Sequence, residues 1–300
     1  MDKLLVICGA TATGKTKLAV DCAEKLKSEV VSADSQLIYK GLDIGTAKPD
    51  VEEMRGIKLH MIDIAEPSES FSVSDYVSIA EPIIENILKN GKTPVVCGGT
   101  GFYINSLLFD LSYGNAPADK AVREKYSEIL NSKGKAYLHS LLESVDAQTA
   151  EKLHPNDTVR VIRALEIYEI SGKKKSEIND AFTPKHAYLA VAVDYPRDEL
   201  YDRINRRVDV MFDNGLVEEV ESLVKRGITE KNQCMQAIGY KEVLEYLKNS
   251  NYRSTMRDII KQNTRRYAKR QITFFKKLKG LVWLSPEQAT ADYVLGLLNG

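Results

Sequence analysis

Short apolar runs alternate with stretches of helical spacing over the first third of the chain. The runs predict buried strands, and the two stretches with apolar residues at every third or fourth position, Lys17–Lys27 and Phe71–Asn90, predict helices. The predicted strands are Leu4–Cys8, Glu29–Ala33, His60–Ile64 and Thr93–Cys97. This alternation favours an α/β fold, in which helices cover both faces of a parallel sheet.

The pattern changes near Tyr113, and from Ala116 to about Thr183 the spacing is helical throughout. The predicted helices there are Val122–Asn131, Lys135–Leu142 and Asp157–Ser171. In the last helix we expect Val159, Ile162, Ala164, Leu165 and Tyr168 to face inward, and Arg160 and Arg163 to face outward. We therefore predict an all-helical insertion, residues 114–185, in a core domain formed by residues 1–113 and 186–300.

The α/β pattern resumes after the insertion. Tyr188–Val193 predicts a strand, and Glu199–Arg226 predicts a long amphipathic helix or a pair of helices. Gln236–Lys241 is expected to start another helix, and a strongly basic helix follows it. Leu281–Leu284 is the last predicted strand.

The turn after the first strand fits the phosphate-loop pattern G-x-x-x-x-G-K-[ST] at every fixed position. Its glycines allow a tight turn that points backbone N–H groups at phosphate oxygens, and the following helix adds its positive N-terminus. The lysine supplies a full charge, and the final threonine hydroxyl can bind Mg²⁺. The phosphate-binding residues are Gly9, Ala10, Thr11, Ala12, Thr13, Gly14, Lys15 and Thr16. The sheet and loop together predict a P-loop NTPase-like fold.

Two further turns follow predicted strands, and parallel strands place ligands at their carboxyl ends. Asp34 follows the second strand and is expected beside the phosphate loop, either as a functional carboxylate or as a turn cap. Gly98–Gly101 follows the fourth strand and is either a second site element or a plain turn. Ile38–Pro49 is expected to be an ordered loop over the site.

The charge is unevenly distributed, although 42 basic and 42 acidic residues balance over the chain. Arg253–Lys279 holds ten lysines and arginines against one acid, Asp258. This segment predicts either a local contact with a polyanion or a solvated helix face.

The remaining composition indicates a globular protein of a reducing compartment. The four cysteines are widely separated and the four histidines form no ligand cluster, which argues against a zinc site or a disulfide framework. Neither a signal peptide nor an apolar run long enough for a membrane span is found. We expect a cytoplasmic protein without a membrane partner, and a monomer.

Several stretches together resemble the tRNA dimethylallyltransferase (tRNA isopentenyltransferase) family of bacteria, in family order over nearly the whole chain. They are Gly9–Thr16, Asp34–Pro49, Gly98–Tyr103, His154–Asp157 with Arg160 and Arg163, Gln236–Lys241 and Arg266–Gln271. The resemblance implies transfer of a dimethylallyl group from dimethylallyl diphosphate to N6 of adenosine 37 in tRNAs that read codons beginning with U. It also implies that the helical insertion grips the anticodon stem-loop.

The resemblance further implies roles for individual residues. Asp34 would be the general base, Thr16 would bind Mg²⁺, Thr11–Thr16 would hold the diphosphate, and Arg207 would lie near it. Lys15 and Arg207 would share the catalytic site with Asp34. The residues implied to face tRNA are Asp34, Ser35, Gln36, Leu37, Thr100, Arg123, Val159, Arg160, Val161, Ile162, Arg163, Gln236, Ala237, Ile238, Gly239, Tyr240 and Lys241.

The sequence departs from the family pattern at four places. After Arg270-Gln271, where Thr-Trp is usual, it has Ile272–Phe275. Ala10 replaces the usual proline of the phosphate loop, and Gln36-Leu37 replaces the usual Met-Gln. Val159 and Ile162 replace residues that are often polar, so backbone or packing contacts are favoured there. A flipped-out adenine would need an aromatic or apolar wall. The candidates are Tyr39, Phe102 and Tyr103.

Three alternatives remain at this level. A small-molecule kinase of the same fold would use the phosphate loop for a triphosphate and would need no polyanion site. An enzyme that prenylates free adenine nucleotides would not need the arginines of the insertion. A non-catalytic RNA-binding protein would not need Lys15, Thr16 and Asp34 together.

Overall fold

A parallel sheet of six strands lies in the larger of two units of the chain. The computed structural model describes residues 3–111, 116, 118–178, 182–249 and 253–300, without the side chains of residues 253 and 254. The strands are β1 (Lys3–Cys8), β2 (Val30–Ser32), β3 (Leu59–His60), β4 (Val95–Gly98), β5 (Ala187–Val193) and β6 (Leu281–Leu284). Their order across the sheet is β3-β2-β4-β1-β5-β6, and every pairing is parallel.

The first unit contains Met1–Leu108 and Pro184–Gly300, and the second contains Phe109–Thr183. The expected boundary at residues 113 and 114 lies outside the described residues. The other expected boundary, between residues 185 and 186, differs by two residues from the division found after Thr183.

The predicted second and third strands are shorter than expected. The third ends at His60, and the following Met61 and Asp63 have positive φ angles of 61° and 52°. The reason is a different set of partners: the backbone N–H of Asp63 bonds to the Leu37 carbonyl, and that of Ile64 bonds to the Ile38 carbonyl. The segment after β3 therefore pairs with the loop that follows β2 rather than extending the sheet.

The helices of the first unit cover the sheet on both sides. Before the insertion they are α1 (Lys15–Lys25), α2 (Val51–Met54), α3 (Val73–Lys89) and α4 (Gly101–Leu108). The central strand β1 is fully buried from Leu4 to Cys8, which accounts for its continuous apolar run. Among the described residues, no helix is long and apolar enough to cross a membrane.

The second unit consists of α5 (Lys120–Val145), α6 (Ala147–Lys152) and α7 (Thr158–Ser171). Helix α5 is broken at Gly134, where φ is 79° and ψ is 169°, so the two helices predicted for this stretch are confirmed. The predicted inward face of α7 is wrong at two positions, because Val159 is 77% exposed and Tyr168 is 37% exposed. Val161, Ala164 and Leu165 form the buried face instead and pack against Leu138 and Leu142 of α5.

The last helices are α8 (Arg197–Asp213), α9 (Leu216–Lys225), α10 (Tyr240–Lys248), α11 (Arg253–Phe275) and α12 (Ala291–Asn299). The predicted helix pair is confirmed, since Gly215 separates α8 from α9 with a φ of 97°. The expected helix start at Gln236 is wrong. Gln233–Gln236 forms a 3-10 turn and Gly239 has a φ of 97°, so α10 begins only at Tyr240.

A buried carboxylate lies at the centre of the second unit. Glu166 of α7 is fully buried and accepts hydrogen bonds from Nε of Arg123 at 2.8 Å, Nη1 of Arg163 at 2.6 Å and the Asp119 backbone N–H at 2.8 Å. Arg163 also donates from Nη2 to the Ala116 carbonyl at 2.8 Å. Burial by itself raises the pKa of Glu166, but the hydrogen bonds from the two arginines outweigh it and the pKa is lowered.

Replacing Glu166 by glutamine should destabilise the second unit by about 2 kcal/mol, because charged hydrogen bonds of this kind are lost. Amide hydrogen exchange of residues in α5 and α7 at neutral pH measures this, and Glu143→Gln, an exposed residue of α5, is the matched control. The carboxylate has a depressed pKa, so its stabilisation is present above pH 4.5 and is lost as pH falls through the folded-state pKa. The stabilities of Glu166→Gln and of the unaltered protein should therefore become equal in acid. A stability difference that stays constant until Glu166 is fully protonated would contradict this role.

Candidate active site

The phosphate loop joins the end of β1 to the start of α1. Gly9 and Gly14 have φ angles of 120° and 82°, a backbone region that favours glycine, and Ala12 also has a positive φ of 63°. A Cβ on Gly9 would lie 3.3 Å from Cβ of Ala192 in β5. The backbone therefore requires glycine at both fixed positions of the motif.

Polar side chains close the loop on itself. The Thr13 hydroxyl donates to the Ala10 carbonyl at 2.9 Å, and Nζ of Lys15 donates to the same carbonyl. Nε of Arg203 in α8 donates to the Ala12 carbonyl at 2.8 Å. Thr16 lies in the first turn of α1 and is exposed.

Charges from three elements converge on the loop. Burial lowers the pKa of Lys15, and the neighbouring guanidinium of Arg207 lowers it further. The carboxylate of Asp34 and the thiols of Cys97 and Cys8 act in the opposite direction. The sheet order explains the convergence, because β1, β4 and β2 are neighbours and all end at the same edge.

Asp34 is held in a turn that is hydrogen-bonded to the end of β4. One carboxylate oxygen of Asp34, Oδ1, accepts from the Gln36 backbone N–H at 2.9 Å, so the aspartate caps its own turn. The Ser35 N–H donates to Oγ1 of Thr100 at 2.9 Å, and the Thr100 N–H donates to the Ala33 carbonyl at 3.0 Å. The turn after β2 and the turn after β4 are therefore hydrogen-bonded to each other. This arrangement is compatible with Asp34 as a turn cap and with Asp34 as a functional carboxylate.

Arg207 of α8 lies between the phosphate loop and the loop over the site. Its Nη2 donates to the Thr46 carbonyl at 3.0 Å. Burial lowers the pKa of the Arg207 guanidinium, while the carboxylates of Asp34 and Glu53 oppose that change. Lys48 closes the same loop through the Tyr39 carbonyl at 2.9 Å and through carboxylates, including that of Asp43 at 2.6 Å.

Gln271 of α11 connects the two glycine turns. Its Oε1 accepts from the Thr11 backbone N–H at 2.9 Å, and its Nε2 donates to the Gly99 carbonyl at 3.0 Å. Gln271 is buried, and a Cβ on Gly99 would overlap its amide nitrogen. The sequence included Gln271 in a matching stretch but assigned it no role, because only the tertiary fold brings α11 to the phosphate loop.

The three aromatic candidates have different environments. Tyr39 is fully buried, and Tyr103 is 3% exposed and stacks on Tyr76 at a ring separation of 3.9 Å. Phe102 is 54% exposed and contacts Phe274 edge to face at 5.4 Å. Of the three candidates, only Phe102 therefore presents an open ring, two residues from Thr100.

The residues expected to face RNA divide into exposed and buried groups. The side chains of Val161 and Tyr240 lie in hydrophobic clusters, and Arg123 and Arg163 are engaged by Glu166. Gly239 is buried, and the other residues of the set are at least partly exposed. Arg160 is the most accessible of the three arginines, with 68% of its side chain exposed. Gln36 is notable because its Oε1 is buried and has no hydrogen-bond partner among the described residues. Ile162 lies in the second unit, and the first unit contains Leu37, Gln236, Ala237, Ile238, Gly239 and Lys241.

The basic helix α11 is used partly for packing. Arg257 and Lys261 form ion pairs with Asp209 of α8 at 3.3 and 2.7 Å, and Arg265 donates to Asn205 at 2.6 Å. Arg257 and Lys261 therefore neutralise Asp209, and all three side chains connect α11 to α8. Arg266, Lys269 and Arg270 of the same helix are also exposed.

Comparison with known proteins identifies the family. A model of the IPP transferase family matches residues 37–278, and a model described as isopentenyl transferase matches residues 2–69. A tRNA dimethylallyltransferase of Acetivibrio thermocellus is 45% identical over 295 residues, which are 97% of this chain and 94% of the relative. The chain belongs to the tRNA dimethylallyltransferase family. The resemblance found in the sequence is thereby confirmed.

Solved structures of the family share the fold. The full-length tRNA isopentenylpyrophosphate transferase of Bacillus halodurans superposes with a TM-score of 0.74 at 41% identity, covering 100% of this chain and 95% of the other. A eukaryotic dimethylallyltransferase acting on tRNA gives a TM-score of 0.82 at 32% identity, covering 97% of this chain and 74% of the other. The predicted α/β fold is confirmed.

Replacing Gln271 by alanine should loosen the phosphate loop, because both hydrogen bonds that connect it to the second glycine turn are lost. We expect the Thr11 amide to exchange with solvent faster and the protein to lose about 1–3 kcal/mol of stability. Gln262→Ala, an exposed glutamine of the same helix, is the matched control. An unchanged exchange rate at Thr11 would mean that Gln271 does not restrain the loop.

Proposed function

We propose that this chain transfers a dimethylallyl group from dimethylallyl diphosphate to N6 of adenosine 37 in tRNAs that read codons beginning with U, with release of diphosphate. The observation that carries the proposal is the meeting of Lys15, Arg207 and Asp34 around one phosphate loop in a member of this family. Two cations suit a departing diphosphate, and a carboxylate beside them suits an incoming amine. The relatives are prenyltransferases by name.

The phosphate loop would hold the diphosphate as a leaving group. Charge develops on its oxygens as the C1–O bond of the allylic substrate breaks, and preorganised cations and N–H dipoles stabilise that charge. Lys15, Arg207 and the amides of Gly9–Thr16 are the groups assigned to this task. Because burial disfavours both cations, a bound diphosphate would stabilise their charged forms.

The donor set at the loop fits Mg²⁺. The ion prefers oxygen ligands, keeps several waters and commonly binds one or two protein groups together with substrate phosphates. The exposed Thr16 hydroxyl at the start of α1 is such a group. In the described part of the chain, no group of three or more histidine, cysteine or acidic residues is arranged to hold a metal, so most ligands would come from diphosphate and water. When bound, the ion would neutralise charge on the leaving group.

Asp34 is assigned as the general base. The N6 lone pair of adenosine is delocalised into the purine, so attack requires loss of a proton from N6. In the proposed step the N6–C1 bond forms, the C1–O bond breaks, its electron pair leaves with the diphosphate and the N6 proton passes to the Asp34 carboxylate. General base catalysis of this kind contributes about 10²–10⁴-fold.

Two features near Asp34 suit an adenine that has left the base stack. The exposed ring of Phe102 offers a surface for stacking. The unpartnered Oε1 of Gln36 is a buried acceptor that costs stability unless a ligand supplies a donor, and an adenine edge carries N–H donors. Both features agree with a flipped base as acceptor.

The tRNA contact is proposed for the exposed basic residues. Arg160 in the second unit and Arg266, Lys269 and Arg270 on α11 are accessible to a phosphate backbone. Arg123 and Arg163 remain in the proposed surface, although their guanidinium groups already bind Glu166. A tRNA substrate also agrees with the expected cytoplasmic location, and the monomer stays a prediction.

Incubation with labelled dimethylallyl diphosphate, Mg²⁺ and an anticodon stem-loop, followed by nucleoside analysis, tests the function. Labelled N6-(dimethylallyl)adenosine is the expected product. Tight binding of ATP with transfer of its terminal phosphate would instead favour the small-molecule kinase. Equal turnover of AMP and the stem-loop would favour prenylation of free nucleotides.

Asp34→Asn should lower kcat by roughly 10²–10⁴-fold, because the amide cannot accept the N6 proton. The dissociation constant of the stem-loop should stay within about twofold, since the turn that holds residue 34 also depends on Ser35 and Thr100. Asp258→Asn on α11 is the control for a carboxylate outside the site. A full-rate Asp34→Asn enzyme would rule out the base assignment.

Arg160→Ala should weaken stem-loop binding and reduce the slope of log K against log salt by about one, because one phosphate contact is lost. KM for dimethylallyl diphosphate should not change. Arg160→Lys keeps the charge and serves as the control. Arg163→Ala does not serve the same purpose, since it also removes a partner of the buried Glu166. An unchanged salt slope in Arg160→Ala would show that this residue does not contact phosphate.

A further inference from the structure

The carboxylate of Glu219 in α9 is bound to three consecutive backbone N–H groups of the loop over the site. It accepts from Asp43 at 2.8 Å, Ile44 at 2.8 Å and Gly45 at 3.1 Å. The hydroxyl of Tyr240 donates to the same carboxylate at 2.5 Å. Hydrogen bonds to an ionised acceptor are stronger than neutral ones, so four of them on one carboxylate fix this part of the loop.

Steric contact holds the loop at the same place. A Cβ on Gly45 would lie 2.5 Å from Cε2 of Tyr240 and 2.9 Å from Cδ1 of Leu216. Tyr240 and Leu216 are both fully buried, so neither side chain can move aside. The backbone of Gly45 therefore rests directly on α9 and α10.

Tyr240 remains a neutral donor in this arrangement. Burial raises its pKa, and the adjacent Glu219 carboxylate raises it further. The hydroxyl therefore keeps its proton and donates a hydrogen bond to the carboxylate. This explains why a tyrosine follows the glycine of the Gln236–Lys241 stretch: its side chain supports the loop rather than facing a partner of the protein.

The next residue of the loop reaches the diphosphate machinery. The Thr46 carbonyl accepts from Nη2 of Arg207 at 3.0 Å, which orients the guanidinium of this half-buried residue. Displacement of Asp43–Gly45 would move this carbonyl, because it follows Gly45 directly in the chain. A continuous path of contacts therefore runs from Glu219 through the loop to Arg207.

We propose that Glu219 is a positioning residue for the transfer reaction: together with Tyr240 it holds residues 43–46 so that the Thr46 carbonyl aims Arg207 at the leaving diphosphate. The proposal rests on the proposed function for the identity of the diphosphate. It assigns Glu219, which no motif in the sequence marked, and it gives Tyr240 a role in the diphosphate site instead of a direct contact with tRNA.

The test compares Glu219→Gln and Tyr240→Phe with the unaltered enzyme. Glu219→Gln should raise the dissociation constant of inorganic pyrophosphate and KM for dimethylallyl diphosphate by about tenfold, since an amide can accept from fewer of the N–H groups. Tyr240→Phe should raise both by about two- to threefold, because the three backbone contacts remain. The stem-loop dissociation constant should not change in either variant. Glu218→Gln, the exposed neighbour in α9, is the matched control.

A double-mutant cycle with Arg207→Ala separates positioning from a purely structural role. If Glu219 acts through Arg207, then Glu219→Gln should cause no further loss of pyrophosphate affinity in the Arg207→Ala background. Additive losses of pyrophosphate affinity in the double variant would overturn the proposal. It would also be overturned if Glu219→Gln lowered the fraction of active enzyme but left the pyrophosphate affinity normal. Failure of the proposed function has a different signature, because it is read from the absence of prenylated adenosine with the unaltered enzyme.

Discussion

The close approach of two strand ends, β2 and β4, is the constraint on which the site depends. The Ala33 N–H bonds to the Cys97 carbonyl at 2.7 Å, and the Ala33 carbonyl then receives the Thr100 N–H. A Cβ on Gly98 would overlap the Ala33 backbone, so only glycine allows this pairing. Because β1 lies on the other side of β4, the same edge also carries the phosphate loop, and the pairing of β2 with β4 brings Asp34 to that edge.

Electrostatics at this edge are arranged for an anionic ligand. Burial lowers the pKa of both Lys15 and Arg207, and the Arg207 guanidinium lowers the pKa of Lys15 further. The carboxylate of Asp34 opposes both changes, and that of Glu53 opposes the change at Arg207. A diphosphate would relieve the repulsion between the two cations. The loop over the site contributes through its backbone, since the Thr46 carbonyl holds Arg207 and Glu219 holds the loop.

The arginines show why charge in a sequence does not by itself identify a binding surface. Arg123 and Arg163 were expected at an RNA surface, yet both donate to the fully buried Glu166, and α11 uses Arg257 on Asp209. Arg160 differs from them because it is mostly exposed, and its ion pair is with Asp157, one turn away at 3.3 Å. Partners distant in sequence decide which cations remain accessible, so a basic segment can stabilise the fold and present a surface at once.

The sequence alone determined the fold class and, by resemblance of several stretches, the family. Apolar periodicity specified most strands and helices, and the glycine and lysine spacing specified the turn after β1, because such patterns act over a few residues. It missed α12 and misplaced the inward face of α7 at Val159, where packing between helices chose Val161 instead. The roles of Gln271 and Glu219 were decided only by the tertiary structure, since each acts on a loop that is far away in the chain. Local patterns specify elements, whereas the contacts that position a site are formed between elements, and these depend on the whole folded unit.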